Sequence, residues 1–485
     1  MFALGLLATG VFSVWGGQAS FSLVLISIAL LALWIDRAWF DVWPLPPVVW
    51  FISVCFLAGG IGPGLLFAAG TEFQLGDITQ MQLGMIVGHG SFFICYYMFR
   101  PDAKTCPHIA EMILESFVLR RALVGSCYLL LCFGVAEVVV GAVSGAADRG
   151  LAGEKAAFEV FGYWSYFVAF NRLTPIAFLL APLAWRFSKY FGRLLILIAS
   201  CYILLMGAAS GSRALLLSPL VLLLVGYVGF SRSKRVRSEF IVIGIVPFAV
   251  LSFVFLDHYR NTESFYLEPL SNPIKKIGAF SEAIVRADES EDSSLRLIGE
   301  RLVGNVDPLI YAATPSQIPF AGFDGVDAML WLYVPSFFYP NRPSLLDATR
   351  IGERYLQTAL VRTSVGSSFV GDWYRRFGWV GVIFGMASVG VILGLSLKIV
   401  IWALRRRPFW GLAAVFVVST LATKDANMTV ATATWMFLYE FPKYYVVLVF
   451  VFSAGKMVSS LFCSDALERP LLKASRRRDD IDRFV

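Results

Sequence analysis

Charged residues are scarce in this chain. Asp, Glu, Lys and Arg make up 15% of its 485 residues, whereas 58% are hydrophobic. Soluble globular domains carry about 25% charged residues, so the composition argues against that class. The apolar residues form continuous runs, for example 194–206 and 214–228, and lack the strict alternation of a transmembrane β-barrel. We therefore predict an all-α integral membrane protein.

Residues and motifs that build metal or nucleophile sites are also scarce. The three histidines are scattered, the seven cysteines form no CxxC pair, and the HExxH, GxSxG and P-loop patterns are absent. The single DxD, at 480–482, falls in the C-terminal tail. We expect no metal and no other cofactor. The net charge of +7 does not indicate nucleic acid, because the basic residues cluster beside apolar runs and report topology instead.

Twelve apolar segments are candidate membrane spans. The basic residues after spans 4, 6, 8 and 10 and in the C-terminal tail fall on one side, which the positive-inside rule assigns to the cytoplasm. Both termini are then cytoplasmic, and the long polar insertion between spans 9 and 10 is external. The predicted organisation is spans 1–9 in 1–256, a large outer loop in 257–376, spans 10–12 in 377–454 and a basic tail in 455–485. The spans are 2–16, 19–35, 48–69, 80–99, 122–142, 160–185, 194–210, 214–230, 239–256, 377–403, 409–423 and 431–454.

Arginines from three chain regions are predicted to reach the outer face. Arg213 ends the small-residue turn 207–213, where positive-inside statistics disfavour arginine. It is interpreted as a phosphate-binding guanidinium, with a snorkelling anchor as the alternative. Arg260 follows span 9, and the far end of the loop contributes Arg350, Arg354, Arg362, Arg375 and Arg376. Guanidinium groups sharing one outward-facing cavity would hold a diphosphate and replace a metal as the electrostatic stabiliser.

Two assignments stay open at this stage. Arg172 lies inside span 6, where arginine is rarely tolerated. It is either a functional cation or a structural one, satisfied by carbonyls or paired with Glu137. Deprotonation of an acceptor hydroxyl would need a base within hydrogen-bond reach, and the candidates are Asp257, His258, Glu353 and Asp372.

Three short stretches carry a family resemblance. The first is the turn 211–213 (GSR) before an apolar span, and the second is 334–345 (VPSFFYPNRPSL) late in the large loop. The third, within 364–381, is an acidic-x-Tyr-x-x-Phe-Gly-x-x-Gly pattern filled by Asp372, Tyr374, Phe377, Gly378 and Gly381. Together with twelve spans and a large loop between spans 9 and 10, these stretches resemble the Wzy-type polymerases of O-antigen and exopolysaccharide repeat units.

The resemblance implies a metal-independent, GT-C-like membrane glycosyltransferase of the bacterial inner membrane, with its large loop in the periplasm. Such enzymes transfer a growing glycan from undecaprenyl diphosphate to a new lipid-linked repeat unit. By position in the sequence, the resemblance assigns essential roles to Arg213, Arg260 and the Arg375/Arg376 pair. We add Arg172, Arg354 and Tyr374 as candidate substrate contacts. The implied partners are the lipid-linked donor and acceptor, membrane lipids, and a chain-length regulator and flippase of the same pathway.

Two other functions remain as alternatives. One is an O-antigen ligase of the same fold, which moves a finished glycan to a different acceptor. The other is a flippase or transporter of lipid-linked glycans. Transporters commonly contain internal repeats, whereas this sequence has a single asymmetric loop and no visible repeat.

Overall fold

The computed structural model describes residues 17–43, 46–68, 75–143, 173–210, 213–230, 259, 272–286, 299, 302–303, 306–324, 351–352, 354–355, 367–424, 430, 438 and 440–462. These residues are helical almost throughout. The helices are α1 (Gly17–Ile35), α2 (Arg37–Val42), α3 (Val48–Val54), α4 (Gly62–Ala68), α5 (Leu75–Phe99), α6 (Ile109–Glu115), α7 (Phe117–Val143), α8 (Thr174–Phe187), α9 (Tyr190–Ala209), α10 (Arg213–Phe230), α11 (Pro273–Arg286), α12 (Asp307–Ala313), α13 (Phe369–Arg406), α14 (Pro408–Lys424) and α15 (Phe441–Phe462). A π-helical segment, Cys55–Ile61, joins α3 to α4.

Five of the described helical segments are long and apolar enough to cross a membrane. They are Val48–Phe67, Phe117–Ala142, Tyr190–Ala209, Phe369–Arg406 and Phe441–Phe462. The all-helical class predicted from the sequence is confirmed to this extent. Shorter apolar helices occupy four further predicted spans, and α5 covers predicted span 4. Predicted spans 1 and 9 and the first half of span 6 lie outside the described residues.

Basic residues from three of the predicted clusters meet at one end of the bundle, which we call the basic end. Arg100 pairs with Asp36, and Arg405 donates to the carbonyl of Thr105. At the same end, Arg121 Nε donates to Ser459 Oγ at 3.2 Å, and the Lys189 N–H donates to the Phe462 carbonyl at 3.0 Å. The structure therefore brings together the basic clusters after predicted spans 4, 6 and 10, whereas the cluster after span 8 and the basic tail lie outside the described residues.

Small residues allow the helices to pack closely, as is typical of membrane helix interfaces. A Cβ added to Gly125 of α7 would lie 1.8 Å from the carbonyl oxygen of Gly455 in α15. A Cβ on Gly390 of α13 would lie 2.4 Å from the carbonyl oxygen of Phe92 in α5. These backbone contacts fix α7 on α15 and α5 on α13.

Helix α13 turns back on itself at Gly378, whose φ of 63° and ψ of −149° are open essentially to glycine alone. A Cβ on Gly381 would lie 2.4 Å from the Trp373 carbonyl oxygen, and one on Gly385 would lie 2.1 Å from the Trp373 ring. The residues before the turn therefore lie beside the residues after it. We call 369–377 the re-entrant helix.

The N-terminal end of the re-entrant helix points into the bundle. A Cβ on Gly88 of α5 would contact both Val370, at 3.1 Å, and Met386, at 3.3 Å. The Phe369 ring lies 5.9 Å from the ring of Phe51, centroid to centroid. The re-entrant helix therefore begins inside the helix bundle and ends at the opposite end from the basic clusters. We call that opposite end the loop end.

Gly378→Ala is expected to destabilise the protein by about 1–3 kcal/mol, because a side chain is strained at this φ and ψ. The added methyl group would also lie 3.1 Å from the Phe320 ring. The control is Gly90→Ala on α5, where the Cβ meets nothing within 4 Å and alanine favours helix by up to about 1 kcal/mol. Thermal unfolding in detergent should separate the two variants, and equal melting temperatures would contradict the turn.

Candidate functional site

A buried carboxylate on the re-entrant helix binds two arginines. Asp372 Oδ1 accepts from Arg375 Nε at 2.8 Å and from Arg375 Nη2 at 2.6 Å. Its Oδ2 accepts from Arg376 Nε at 3.1 Å and from the Val430 N–H at 2.8 Å. The i, i+3, i+4 spacing puts the three side chains on one helix face, where each is at most 2% exposed. Because both oxygens are engaged, the geometry favours an anchoring role for Asp372 over that of a general base.

The C-terminal end of the re-entrant helix is closed by hydrogen bonds from a neighbouring loop. The last carbonyls of a helix have no helical donors, and here the N–H groups of Ala321 and Gly322 donate to the carbonyls of Arg375 and Arg376 at 3.0 and 3.1 Å. In return, Arg376 Nη1 donates to the carbonyls of Gly322, at 3.1 Å, and Asp324, at 2.9 Å. Arg376 thus binds the loop and Asp372 together.

The segment 317–324, which we call the docked loop, also packs its aromatic rings on the turn. Phe320 lies against Gly378, which leaves room for its ring. Phe323 meets Phe377 edge-on, with ring centroids 5.1 Å apart. Apolar contacts and four backbone hydrogen-bonding groups therefore fix the docked loop over the start of the long apolar part of α13.

Tyr374, the aromatic residue of the resemblance pattern, is buried against α12. Its ring stacks on that of Tyr311, with centroids 4.1 Å apart and planes inclined by 24°. Its hydroxyl donates to the Thr314 carbonyl at 3.4 Å, and the Thr314 hydroxyl lies 2.8 Å from that of Tyr355. Tyr374 contacts protein groups at each of these points, which favours a packing role over the predicted contact with substrate.

An open cavity of about 420 Å³ lies beside the docked loop. Arg354 Nη2 binds Asp324 Oδ2 at 2.8 Å at its rim, and the two side chains are 45% and 41% exposed. Arg354 is therefore an accessible predicted cation, whereas Arg375 and Arg376 are buried. The described lining residues are Gln317, Ile318, Pro319, Phe320, Ala321, Asp324 and Arg354.

A second buried acid, Asp307, holds the other end of the re-entrant helix. Its Oδ1 and Oδ2 lie 3.0 and 3.2 Å from the Ser368 N–H, which donates to them. Ser368 is the N-cap residue and accepts from the Gly371 N–H at 3.1 Å. Sequence analysis missed Asp307. The available signal was an acidic residue directly before Pro308, a combination typical of a helix start in the middle of a loop.

The remaining predicted site residues are only partly placed. Arg213 begins α10, but its side chain lies outside the description, as do Arg172, Asp257, His258, Arg260 and Glu353. Tyr259, between His258 and Arg260, is buried and donates to the Ala209 carbonyl at 3.0 Å. Tyr259 therefore lies at the C-terminal end of α9. The described residues do not connect this point with Asp372.

Within the described part of the chain, no group of three or more His, Cys, Asp or Glu residues is arranged to hold a metal ion.

Comparison of the chain with protein-family models, with curated proteins and with solved structures found no match in any of the three.

Proposed function

We propose that this chain is a membrane glycosyltransferase that polymerises oligosaccharide repeat units carried on a lipid diphosphate. One observation carries the proposal. The stretch with the polymerase resemblance turns back at Gly378 and buries Asp372, Arg375 and Arg376 beside an open cavity. Ionisable residues placed within a membrane protein's helix bundle indicate function, and this group lies at the end opposite the basic clusters.

The proposed topology has twelve spans, with the basic end and both termini in the cytoplasm and the loop end in the periplasm. It is supported by the meeting of Arg100, Arg121, Lys189 and Arg405 at one end, because positively charged connections are retained in the cytoplasm. The loop 257–376 then faces the periplasm, where lipid-linked repeat units would be joined.

The proposal places the cavity near the lipid headgroups at the loop end of the bundle. Residues 379–406 would extend about 42 Å at 1.5 Å per residue, which is longer than the hydrocarbon core of about 30 Å, so this part of α13 can cross a membrane. A Cβ on Gly394 would lie 3.0 Å from the backbone nitrogen of Arg100, so part of the excess length lies at the basic end.

The described contacts divide the arginines into two kinds. Arg375 and Arg376 bind Asp372, and Arg376 also binds the docked loop, so we assign them the task of shaping the cavity. Arg354 binds Asp324, and its half-exposed guanidinium is accessible to a glycan at the rim of the cavity. Together with Gln317, Asp324 and the 45% exposed ring of Phe320, it offers the donors, acceptors and apolar face that a sugar requires.

Arg213 and Arg260 are the proposed diphosphate ligands. The acceptor hydroxyl oxygen bonds to the anomeric carbon, the bond from that carbon to the diphosphate oxygen breaks, and the hydroxyl proton passes to a base, for which Asp257, His258 and Glu353 are the candidates. Negative charge builds on the departing diphosphate, and preorganised guanidinium groups in a low-dielectric site stabilise it. The contact of Tyr259 with Ala209 supports a shared position for the two arginines.

The function can be tested in cells by deleting the gene and separating the surface glycans by size. We expect the ladder of repeat lengths to collapse to a single repeat unit and to return with the wild-type gene. A deletion that leaves free polymer intact but stops its transfer to the final acceptor would support the ligase alternative. An unchanged ladder and unchanged acceptor loading would overturn both.

Arg354→Ala is expected to reduce kcat/KM for the lipid-linked acceptor about tenfold or more, because a charged hydrogen bond to substrate contributes about 1.5–3 kcal/mol. The melting temperature should change little, since exposed ion pairs contribute at most about 1 kcal/mol. Arg193→Ala is the matched control, because Arg193 is exposed at the basic end and binds the Trp185 carbonyl. Equal activity of the two variants would remove Arg354 from the substrate site.

A further inference from the structure

Asp307 lies where α12 meets the first turn of the re-entrant helix. The residue is 5% exposed, and both carboxylate oxygens face the Ser368 N–H. A Cβ on Gly371 would lie 2.4 Å from Asp307 Oδ1. The backbone of the re-entrant helix therefore lies so close to the Asp307 carboxylate that only glycine fits at position 371.

Helix α12 is held on two sides, so Asp307 has little freedom to move. Tyr311, one turn along α12, stacks on Tyr374 of the re-entrant helix. On its other side, a Cβ on Gly84 of α5 would lie 2.0 Å from the Tyr311 hydroxyl oxygen. The carboxylate is thus a fixed point against which the re-entrant helix starts.

We propose that Asp307 is a positioning residue, whose carboxylate fixes the first turn of the re-entrant helix and so sets where Arg375 and Arg376 hold the docked loop and its cavity. It acts through Ser368 and is not itself placed on substrate. The link to glycan transfer rests on the proposed function, whereas the positioning role rests on the contacts alone.

The surroundings of Asp307 make its charged form unfavourable for folding. Burial raises the pKa of Asp307 from 3.8 to about 6, the charge of Asp372 adds to this, and the hydrogen bonds from Ser368 oppose it. A raised folded-state pKa contributes stability that is fully present below about pH 4 and is lost as the pH rises through 6. Neutralising Asp307 is therefore expected to stabilise the fold near pH 8.

The other ionisable groups around Asp307 lie on three helices. The re-entrant helix presents Asp372 with its two arginines, together with the phenol of Tyr374. Helix α12 presents Tyr311, whose pKa is raised well above 10 by burial, so it stays neutral. In the described part of α5 that adjoins α12, the ionisable side chain is His89, whose Nδ1 lies 2.9 Å from the Met85 carbonyl oxygen.

Asp307→Asn tests the proposal in the purified full chain. The amide would bring an NH₂ group towards the Ser368 N–H and leave at most one acceptor for it. Arginine accessibility is read by phenylglyoxal labelling and mass spectrometry at pH 8, with Arg193, which is exposed at the basic end, as the internal standard. We expect labelling of Arg375 and Arg376 to rise at least fivefold relative to the wild type. The melting temperature of the variant at pH 8 should equal or exceed that of the wild type, and the difference between the two proteins should shrink towards pH 5. Glu282→Gln, which neutralises an exposed carboxylate on α11, should change neither quantity.

Unchanged protection of Arg375 and Arg376 in Asp307→Asn would overturn the proposal. A melting temperature at pH 8 that falls together with general labelling of all arginines would also overturn it, because Asp307 would then only stabilise the fold. Neither readout depends on activity. If the labelling changes as expected but the variant still makes a normal glycan ladder, the positioning role stands and its link to the proposed function fails.

Discussion

Asp372→Ala is expected to lower the free energy of unfolding by about 3–5 kcal/mol, because removing one member of a buried ion pair leaves the opposite charge desolvated. Here a single carboxylate binds both Arg375 and Arg376 as well as the Val430 N–H. Its loss should also release the docked loop, which Arg376 holds through two carbonyls. Unfolding of the detergent-solubilised protein measures the first effect, and proteolysis within 317–324 measures the second.

Asp324→Ala is the matched control for this prediction. It removes a carboxylate only a few residues from the same arginine contacts, but its ion pair with Arg354 is half-exposed, so the loss should stay below about 1 kcal/mol. The carbonyl of Asp324 that Arg376 binds is unaffected by the change. Similar destabilisation by both substitutions would contradict the burial and pairing described for Asp372.

Arg213→Ala is expected to reduce polymerisation by at least about 100-fold, which is typical of removing one preorganised donor from a developing negative charge. Arg213→Lys should restore little activity, because a lysine ammonium is a point charge without the bidentate fork of a guanidinium. Both variants should accumulate at the wild-type level in the membrane. The measurement is the length distribution of the glycan at matched protein amounts.

Arg406→Ala provides the control for Arg213. Arg406 lies at the basic end, where its guanidinium stands 4.6 Å from the centroid of the Trp402 ring, and its loss should leave chain length unchanged. Wild-type chain lengths from Arg213→Ala would remove Arg213 from the mechanism and favour the snorkelling anchor.

Much of the fold follows directly from the sequence, because hydrophobic runs and basic clusters are local signals. Ten of the twelve predicted spans coincide wholly or partly with described helices. The break at Gly378 falls next to the predicted start of span 10, at residue 377. The backbone at the break has a φ of 63°, a conformation that requires glycine. Twelve spans and the sidedness of the loop remain predictions.

The fold-back of 369–377 could not be predicted from the sequence. The sequence pattern assigns residues up to 376 to the outer loop, and the close approach of Trp373 to Gly385 is a tertiary contact. The same holds for the roles of Arg375 and Arg376. The positive-inside rule predicts that they lie on the outer face. Whether an arginine there binds a ligand or a nearby carboxylate depends on burial, which periodicity does not determine.

The most direct test of the central claim is reconstitution of the purified protein in liposomes with a lipid-diphosphate-linked repeat unit as the sole substrate. The account predicts a ladder of glycans, release of one lipid diphosphate for each bond formed, activity in the presence of a metal chelator, and no ladder from Arg213→Ala. Substrate that stays a single repeat unit, in protein shown to be folded by its melting transition, would contradict it.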